Sequence, residues 1–385
     1  MARKTPKPQF VDSPQGLSDF LGHIDGEPGL AVDTEANPMF AYRERLCLIQ
    51  VAAGRRIWLI DPLAELDLTP FLDVLADPDV TKVFHDAEFD IVQVGRCFGT
   101  RVLGLFDTKV AAVACGEKSV GLAGLCERHF GIELDKSQQR SDWGRRPLDA
   151  RQLEYAGLDV HYLLPLAEVC KKNLARLDPI VSLEVGAELQ RLEKLDTAEP
   201  ERDPFPWRRI KGSSRLDPKG MRVISKLWSW REGEAERRDL PPFKVLASPV
   251  ILTLAQRRPK SMSAIAELVP RAIANRHAKA LLGVLQEAAE MSGLTLPRGT
   301  TLPREERKRA EEDHRLLDRL KRWRKRVAES RPTDPSLILN RDIMEELSQV
   351  CPRPTNRAEL AATGLLESWR LDAHCEELLS AMRKR

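Results

Sequence analysis

The sequence lacks the features of membrane-spanning, disulfide-stapled and zinc-ribbon proteins. Its 385 residues contain no apolar run near the ~20 residues that a bilayer-spanning helix needs. No hydrophobic stretch follows the first residues, so we expect no secretory signal. The seven cysteines are odd in number and never form a C-x-x-C pair, which is typical of a reducing compartment. We therefore expect a cytoplasmic protein that does not contact a membrane.

Charge is divided unevenly along the chain, although the net charge is only +3. Residues 1–200 carry 23 Lys and Arg against 32 Asp and Glu, whereas residues 201–385 carry 38 against 26. This division favours an acidic, metal-binding catalytic region joined to a basic region that binds a polyanion. The alternative is that surface charge merely differs between domains.

The first half alternates short apolar runs with helical patterns, as an α/β fold does. Five strands are predicted at 29–33, 46–53, 56–60, 81–85 and 103–106. The first three should pair as an antiparallel meander with a turn at Gly54. A helix is predicted at about 87–97 and another at 149–174, where Asp149 and Gln152 form a capping-box-like pattern.

The second half is helical almost throughout and follows a proline-rich, charged segment at 197–207 that marks a linker. The predicted division is a domain at 1–195, a linker at 196–210, a helical domain at 211–290, a linker at 291–305 and a second helical domain at 306–385. Residues 240–246 and 335–340 share a loose plan, which indicates either an internal duplication or coincidence.

Acidic residues at three places carry the candidate chemistry. Asp33 and Glu35 follow a short apolar run, and their i, i+2 spacing in an extended chain points both side chains the same way. Asp90 lies near the start of a predicted helix. Tyr155 and Asp159 are four residues apart, which stacks them on one helical face. Each pattern by itself is more typical of an ordinary strand end or amphipathic helix; the order and context together are more specific.

Four carboxylates from separate elements can hold two divalent ions about 4 Å apart, a pair that stabilises both oxygens of an in-line phosphoryl displacement. Ligands that are all oxygen favour Mg²⁺ or Mn²⁺ over zinc. The sequence therefore predicts a site with two divalent metal ions.

These residues, in this order, resemble the 3′→5′ exonucleases that use four acidic residues and a tyrosine, and within them the ribonuclease D family. The resemblance covers roughly residues 10–190. It rests on Asp33-Thr-Glu35, Tyr42-Arg43, Leu46-Cys-Leu-Ile-Gln50, Leu59-Ile-Asp-Pro62, Lys82-Val-Phe-His85, Phe106-Asp-Thr108, Lys136, Ser141-Asp-Trp143, Arg146-Pro-Leu148 and Tyr155-Ala-Gly-Leu-Asp159.

The resemblance implies a ribonuclease-H-like exonuclease domain with a mixed five-stranded sheet and flanking helices. It also implies a role for each catalytic residue. Asp33 would bridge both ions, Glu35 and Asp159 would complete the site of the nucleophilic water, Asp90 would hold the second ion, and Tyr155 would orient the water. The implied reaction removes 3′-terminal nucleotides from structured RNA such as tRNA precursors, releases nucleoside 5′-monophosphates, and is carried out by a monomer.

The second motif departs from the family, because Asp86 and Glu88 stand where it has small residues between His85 and Asp90. We expect Asp86 to cap the helix, with competition for the metal as the alternative, and Glu88 to be an exposed first-turn acid. His85 should pack and hydrogen-bond locally. Asp61 and Asp107 are predicted to be turn or cap residues.

The basic half resembles two helicase-and-RNase-D C-terminal (HRDC) domains, five-helix modules that bind nucleic acid; the second resemblance is faint. Candidate contacts to the RNA backbone are Lys136, Trp143, Lys211, Arg215, Lys219, Lys321, Arg322 and Arg324. Trp323, within the last basic run, either stacks on a base or packs in the core.

Other functions remain open from the sequence alone. A 3′→5′ DNA exonuclease in repair would carry the same carboxylates, because they do not read the 2′-hydroxyl. A non-catalytic nucleic-acid-binding protein and a regulatory interaction protein are further alternatives, although the intact acidic set disfavours both.

Overall fold

The N-terminal half is built on one mixed six-stranded sheet. The computed structural model describes residues 6–199, 201, 203–291, 304–331 and 333–383. The strands are β1 (Gln9–Val11), β2 (Gly29–Ala36), β3 (Leu46–Ala53), β4 (Arg56–Ile60), β5 (Thr81–Phe84) and β6 (Leu105–Asp107). Their order is β1-β4-β3-β2-β5-β6, with β2, β3 and β4 antiparallel and the other neighbours parallel.

The predicted meander is confirmed, but the predicted count of five strands is wrong. The missing strand, β1, has only three residues, which is too short to show a periodicity. It forms part of the sheet because it pairs in parallel with β4, from Gln9 opposite Trp58 to Val11 opposite Ile60.

Eight helices of this half cover the two faces of the sheet in the described residues. They are α1 (Pro14–Ile24), α2 (Thr69–Ala76), α3 (Glu88–Phe98), α4 (Thr108–Ala114), α5 (Leu122–Phe130), α6 (Ala150–His161), α7 (Leu163–Leu174) and α8 (Pro179–Glu193). Leu30 and Val32 of β2 point into a core shared with α1, α2 and α3, whereas Ala31 points into a core shared with α6 and α7. β2 thus lies between α3 and α6.

The helix predicted at 149–174 is divided into α6 and α7 at Tyr162. Pro165 explains the break, because it has no N–H to donate to the carbonyl of His161, one turn earlier. The predicted capping box is present: the Asp149 side chain accepts from the Gln152 amide, and the Gln152 side chain accepts from the Asp149 amide.

Asp107, not Asp86, organises the start of α3. Asp86 has φ 68° and its carboxylate pairs with Lys109, so the prediction that it caps the helix is wrong. Asp107 accepts from the Ala87 amide at 2.7 Å and also caps α4 through the Lys109 amide at 2.7 Å. Its predicted capping role is confirmed, as is the exposed position of Glu88.

The C-terminal half consists of two helical regions with the same order of elements. The first region contains α9 (Pro218–Arg237), α10 (Pro242–Val245), α11 (Ser248–Arg257), α12 (Met262–Ala266) and α13 (Arg271–Glu290). The second region contains α14 (Arg304–Glu329), α15 (Pro335–Ile338), α16 (Arg341–Gln349), α17 (Arg357–Ala362) and α18 (Ser368–Arg383). In both, a long helix is followed by a four-residue helix that begins at a proline, which favours duplication over coincidence.

Each helical region has its own core, one around Ile224 and Leu254 and the other around Leu320 and Leu347. Trp207, from the predicted linker at 196–210, is buried in the first of these cores, so that linker contributes its last residues to the helical region. Most of the linker predicted at 291–305 lies outside the described residues. No described helix is long and apolar enough to cross a membrane.

The second helical region packs directly on α8 of the first half. Leu337 of α15 is buried with Val181 and Val185 of α8. Beside them, Arg331 pairs with Glu184, whose side chain is completely buried. Burial raises the pKa of Glu184, and the guanidinium of Arg331 partly offsets that rise.

We expect Arg331→Ala to destabilise the protein by about 3 kcal/mol, because it leaves the Glu184 carboxyl buried without its partner. Urea unfolding at pH 7 measures the loss. The double variant Glu184→Leu/Arg331→Leu is the matched control, and it should recover most of the stability since neither charge then remains. An equal loss of unfolding free energy in the single and the double variant would contradict this explanation, because removing the Glu184 carboxyl would then bring no recovery.

Candidate active site

Three carboxylates converge at the C-terminal end of β2. Asp33 and Glu35 lie on the β2 face that packs against α6, and Asp159 projects from α6 toward them. One oxygen from each of the three carboxyls lies within 4.8 Å of the others. All three residues are partly buried.

Asp90 reaches the same strand end from the other face of the sheet. Thr34, between the two acids of β2, points toward α3, and its hydroxyl donates to the Asp90 carboxylate. Asp90 is 5% exposed. The alternation of side chains along one strand therefore brings together acids from helices on both sides of the sheet.

The four residues that meet here are all acidic, and none of them supplies a positive charge to balance the others. Burial, then the charges of Asp33, Asp159 and Asp90, raises the pKa of Glu35 from 4.5 to about 10. Burial raises the pKa of Asp33 to about 6. Burial and Asp33 raise the pKa values of Asp90 and Asp159 well above their ordinary value. Carboxylates that repel each other at this separation are arranged for a cation.

Tyr155 lies one turn before Asp159 on α6. Burial, followed by the charges of Asp159 and Glu35, raises its pKa above the ordinary value of 10.0, so the hydroxyl keeps its proton. The Trp143 ring packs against the Tyr155 ring with centroids 6.0 Å apart. Trp143 is only 1% exposed, so the prediction that it contacts nucleic acid is wrong; it supports the tyrosine from behind.

A cavity of about 520 Å³ opens over the carboxylates. One wall contains Met39 and Phe40, from the loop after β2, together with Phe89 of α3. Lys136 and Arg140, both exposed, also line the cavity. Met39 is 47% exposed and Phe89 48%, unusual values for large apolar side chains, so this wall offers apolar surface to a ligand.

Two polar residues of the site have no functional assignment from the sequence. Gln50 of β3 lies opposite Asp33 in the sheet and is completely buried, and neither amide atom has a partner among the described residues. A glutamine inside the apolar run of β3 is the signal that could have revealed it. His85 lines the cavity and shares a 2.9 Å hydrogen bond with Thr108, the local bonding predicted for it.

The donor set fits a divalent metal ion. Asp33, Glu35 and Asp159 offer only carboxylate oxygens, which suit hard cations. Burial, and at Glu35 and Asp159 the charge of Asp33, raises their pKa values, so a cation would stabilise their ionised forms. The orphaned amide of Gln50 adds a polar group close to the same strand end.

The remaining predicted RNA contacts of the basic half differ in exposure. Lys211, Arg215 and Lys219 are exposed. Lys321 lies 3.6 Å from Asp318, and the Arg322 side chain is exposed while donating to the carbonyl of Asp318.

Arg324 is turned inward, since its guanidinium donates to the carbonyl of Leu339 at 2.8 Å and burial lowers its pKa. Arg324 is only partly buried, so its contact with the RNA backbone stays a prediction. Trp323 is a core residue, 2% exposed, whose indole N–H donates to Glu377 at 2.7 Å.

Comparison with known proteins gives the family. The family model described as "3′-5′ exonuclease" matches residues 8–175, and the model of the HRDC domain matches residues 221–285 and 313–382. The ribonuclease D of Pseudomonas paraeruginosa is 32% identical over 381 residues, which cover 98% of this chain and 98% of that protein. The chain belongs to the ribonuclease D family.

A second ribonuclease D, that of Escherichia coli, is 31% identical over 291 residues, which cover 75% of this chain and 77% of that protein. Its crystal structure, described as that of an exoribonuclease involved in structured RNA processing, matches with a TM-score of 0.63 and 26% identity. That match covers 98% of this chain and 99% of the other. The chain is thus a 3′→5′ exoribonuclease of the ribonuclease D type, and its fold class is as predicted apart from the sixth strand.

In the metal-free protein, we expect Glu35→Gln to raise stability at pH 8, because the neutral amide adds no charge to the acidic cluster. The folded-state pKa values of Asp33 and Glu35 are raised, so wild type loses stability as pH rises from about 4 toward 10. The glutamine variant should lose less folding stability than wild type, by on the order of 1 kcal/mol.

Thermal unfolding in a chelator measures the difference. The two proteins should converge at about pH 3, where Glu35 is protonated in both the folded and the unfolded state. A lower melting temperature for Glu35→Gln at pH 8 in chelator would contradict the repulsion that the cluster implies.

Proposed function

We propose that this protein trims the 3′ ends of structured RNAs such as tRNA precursors, and that it does so with two divalent ions, Mg²⁺ or Mn²⁺. The observation that carries the proposal is the convergence of three carboxylates at the base of an open cavity, with Asp90 behind them and Tyr155 beside them. Its Escherichia coli relative, which matches over nearly the whole chain, supports the substrate class.

The proposed roles of the four acids follow from where they lie. Asp33 is central, because it affects the pKa of Glu35, Asp90 and Asp159, so it would contact both ions. Glu35 and Asp159 would complete one ion site, and Asp90 would contribute to the other. A bound pair of such ions supplies an activated water and stabilises charge on the leaving oxygen.

Tyr155 would orient the attacking water. Its hydroxyl is protonated and lies beside Asp159, so it can donate a hydrogen bond to the water or accept one from it. Packing against Trp143 restricts the ring, which preserves the orientation between turnovers.

The cavity walls would hold the last nucleotide. The exposed faces of Met39 and Phe89 provide apolar surface for a base, and Lys136 and Arg140 provide charge for phosphate. Contacts of this kind read no base edge, which suits an enzyme that removes nucleotides of any sequence. The product would be a nucleoside 5′-monophosphate.

The rest of the chain would bind the body of the RNA. We propose an exonuclease domain at 1–195 and two HRDC-type domains at about 206–290 and 306–385, acting as a monomer. The two helical regions contain exposed cations, among them Lys211, Arg215 and Lys219 in the first and Arg322 in the second, that would contact the RNA backbone.

A 5′-labelled, 3′-extended tRNA precursor and a matched single-stranded DNA, each with Mg²⁺ or Mn²⁺, test the proposal. We expect a ladder shortening from the 3′ end of the RNA that disappears on chelation and in Asp33→Ala. Tyr155→Phe should be at least tenfold slower, which corresponds to ~1.4 kcal/mol of lost barrier lowering.

Tyr162→Phe is the matched control, because this tyrosine stacks on Phe130 and does not line the cavity, so its loss should leave the rate unchanged. Equal or faster trimming of the DNA would favour a role in DNA repair. Binding without trimming of either substrate would overturn the catalytic assignment.

A further inference from the structure

The loop that follows β2 is bound to the first helical region by hydrogen bonds and ion pairs. The Tyr42 amide donates to Asp239 at 3.0 Å, and the Arg45 guanidinium reaches the same carboxylate at 3.1 Å. Arg43 pairs with Glu236 at 2.9 Å. These contacts place the turn between α9 and α10 beside the wall of the catalytic cavity.

Lys244 of α10 lies over Phe40, one of the residues that line the cavity. Its ammonium lies 4.5 Å from the centroid of the Phe40 ring, and Phe40 lines the catalytic cavity. A cation over an aromatic face is attracted to it and held in place. The first helical region therefore contributes a positive charge to the edge of the active site.

The Lys244 ammonium remains free to bind an anion. Lys244 is exposed, and no carboxylate of the described residues lies within 4.0 Å of it. Arg43 and Arg45, in contrast, are each paired with a carboxylate. Contact with a ring leaves the three N–H donors of a lysine available to other partners.

We propose that Lys244 binds a backbone phosphate of the RNA strand as it enters the catalytic cavity. This proposal rests on the proposed function, since it requires that RNA occupy the cavity. Lys136 and Arg140 also line the cavity, so the strand would meet positive charges from two domains. The first helical region would then form part of the substrate site, in addition to binding RNA farther from the cavity.

The test compares wild type with Lys244→Ala and Lys244→Arg on a single-stranded oligoribonucleotide. Lys279→Ala is the matched control, because Lys279 is exposed on α13 of the same region and does not line the cavity. We expect Lys244→Ala to raise KM severalfold with kcat unchanged, Lys244→Arg to restore KM, and Lys279→Ala to match wild type.

Binding of the same RNA in a chelator, titrated with salt, gives a second readout. Loss of one phosphate contact should reduce the slope of log Kd against log salt by about 0.7, the value for single strands. An unchanged KM and slope in Lys244→Ala, with wild type still trimming RNA, would overturn this inference alone. A fall in kcat instead of a rise in KM would also overturn it, because Lys244 would then act only by supporting the Phe40 loop. Failure of wild type to trim RNA would instead overturn the proposed function.

Discussion

Burial of four carboxyl groups at one strand end, together with their mutual repulsion, is the constraint on which the structure depends. Burial raises the pKa values of all four carboxyls, and the charge of Asp33 adds to the rise at Glu35, Asp90 and Asp159. A metal-free fold must therefore hold these groups together against their charge. That requires a rigid frame, and β2 provides it by pairing with β3 on one side and β5 on the other.

The frame is reinforced by buried polar contacts that link distant segments. Arg146 binds Asp61 through two nitrogens, at 2.6 and 2.7 Å, and the carbonyls of Cys47 and Trp143. The loop that carries Trp143 is thereby attached to β3 and to the end of β4, and it presses the tryptophan against Tyr155. Asp107 does the same for the start of α3, which carries Asp90. Charge-assisted bonds of this kind fix direction as well as distance.

The two helical regions share an order of elements but attach to the nuclease differently. The first makes exposed ion pairs with the loop after β2, a kind of contact that salt screens and that contributes little stability. The second buries Leu337 and the Arg331–Glu184 pair against α8. The repeat nearer the catalytic cavity thus has the weaker attachment, which suits a contact that RNA must enter.

The sequence alone determined the meander and the capping box at Asp149, and it predicted which acids meet at the end of β2. Alternation along a strand and the spacing of a helical turn are local properties, so a sequence contains them. Tertiary structure alone decided which cations remain at the surface. Arg324 lies in a basic run and Lys244 among apolar residues. The Arg324 guanidinium nevertheless turns inward to a carbonyl, whereas the exposed Lys244 ammonium lies over Phe40 at the cavity. It also decided that Trp143 supports Tyr155 instead of contacting RNA. The reason is that exposure depends on which distant segment packs against a side chain, and no local pattern contains that partner.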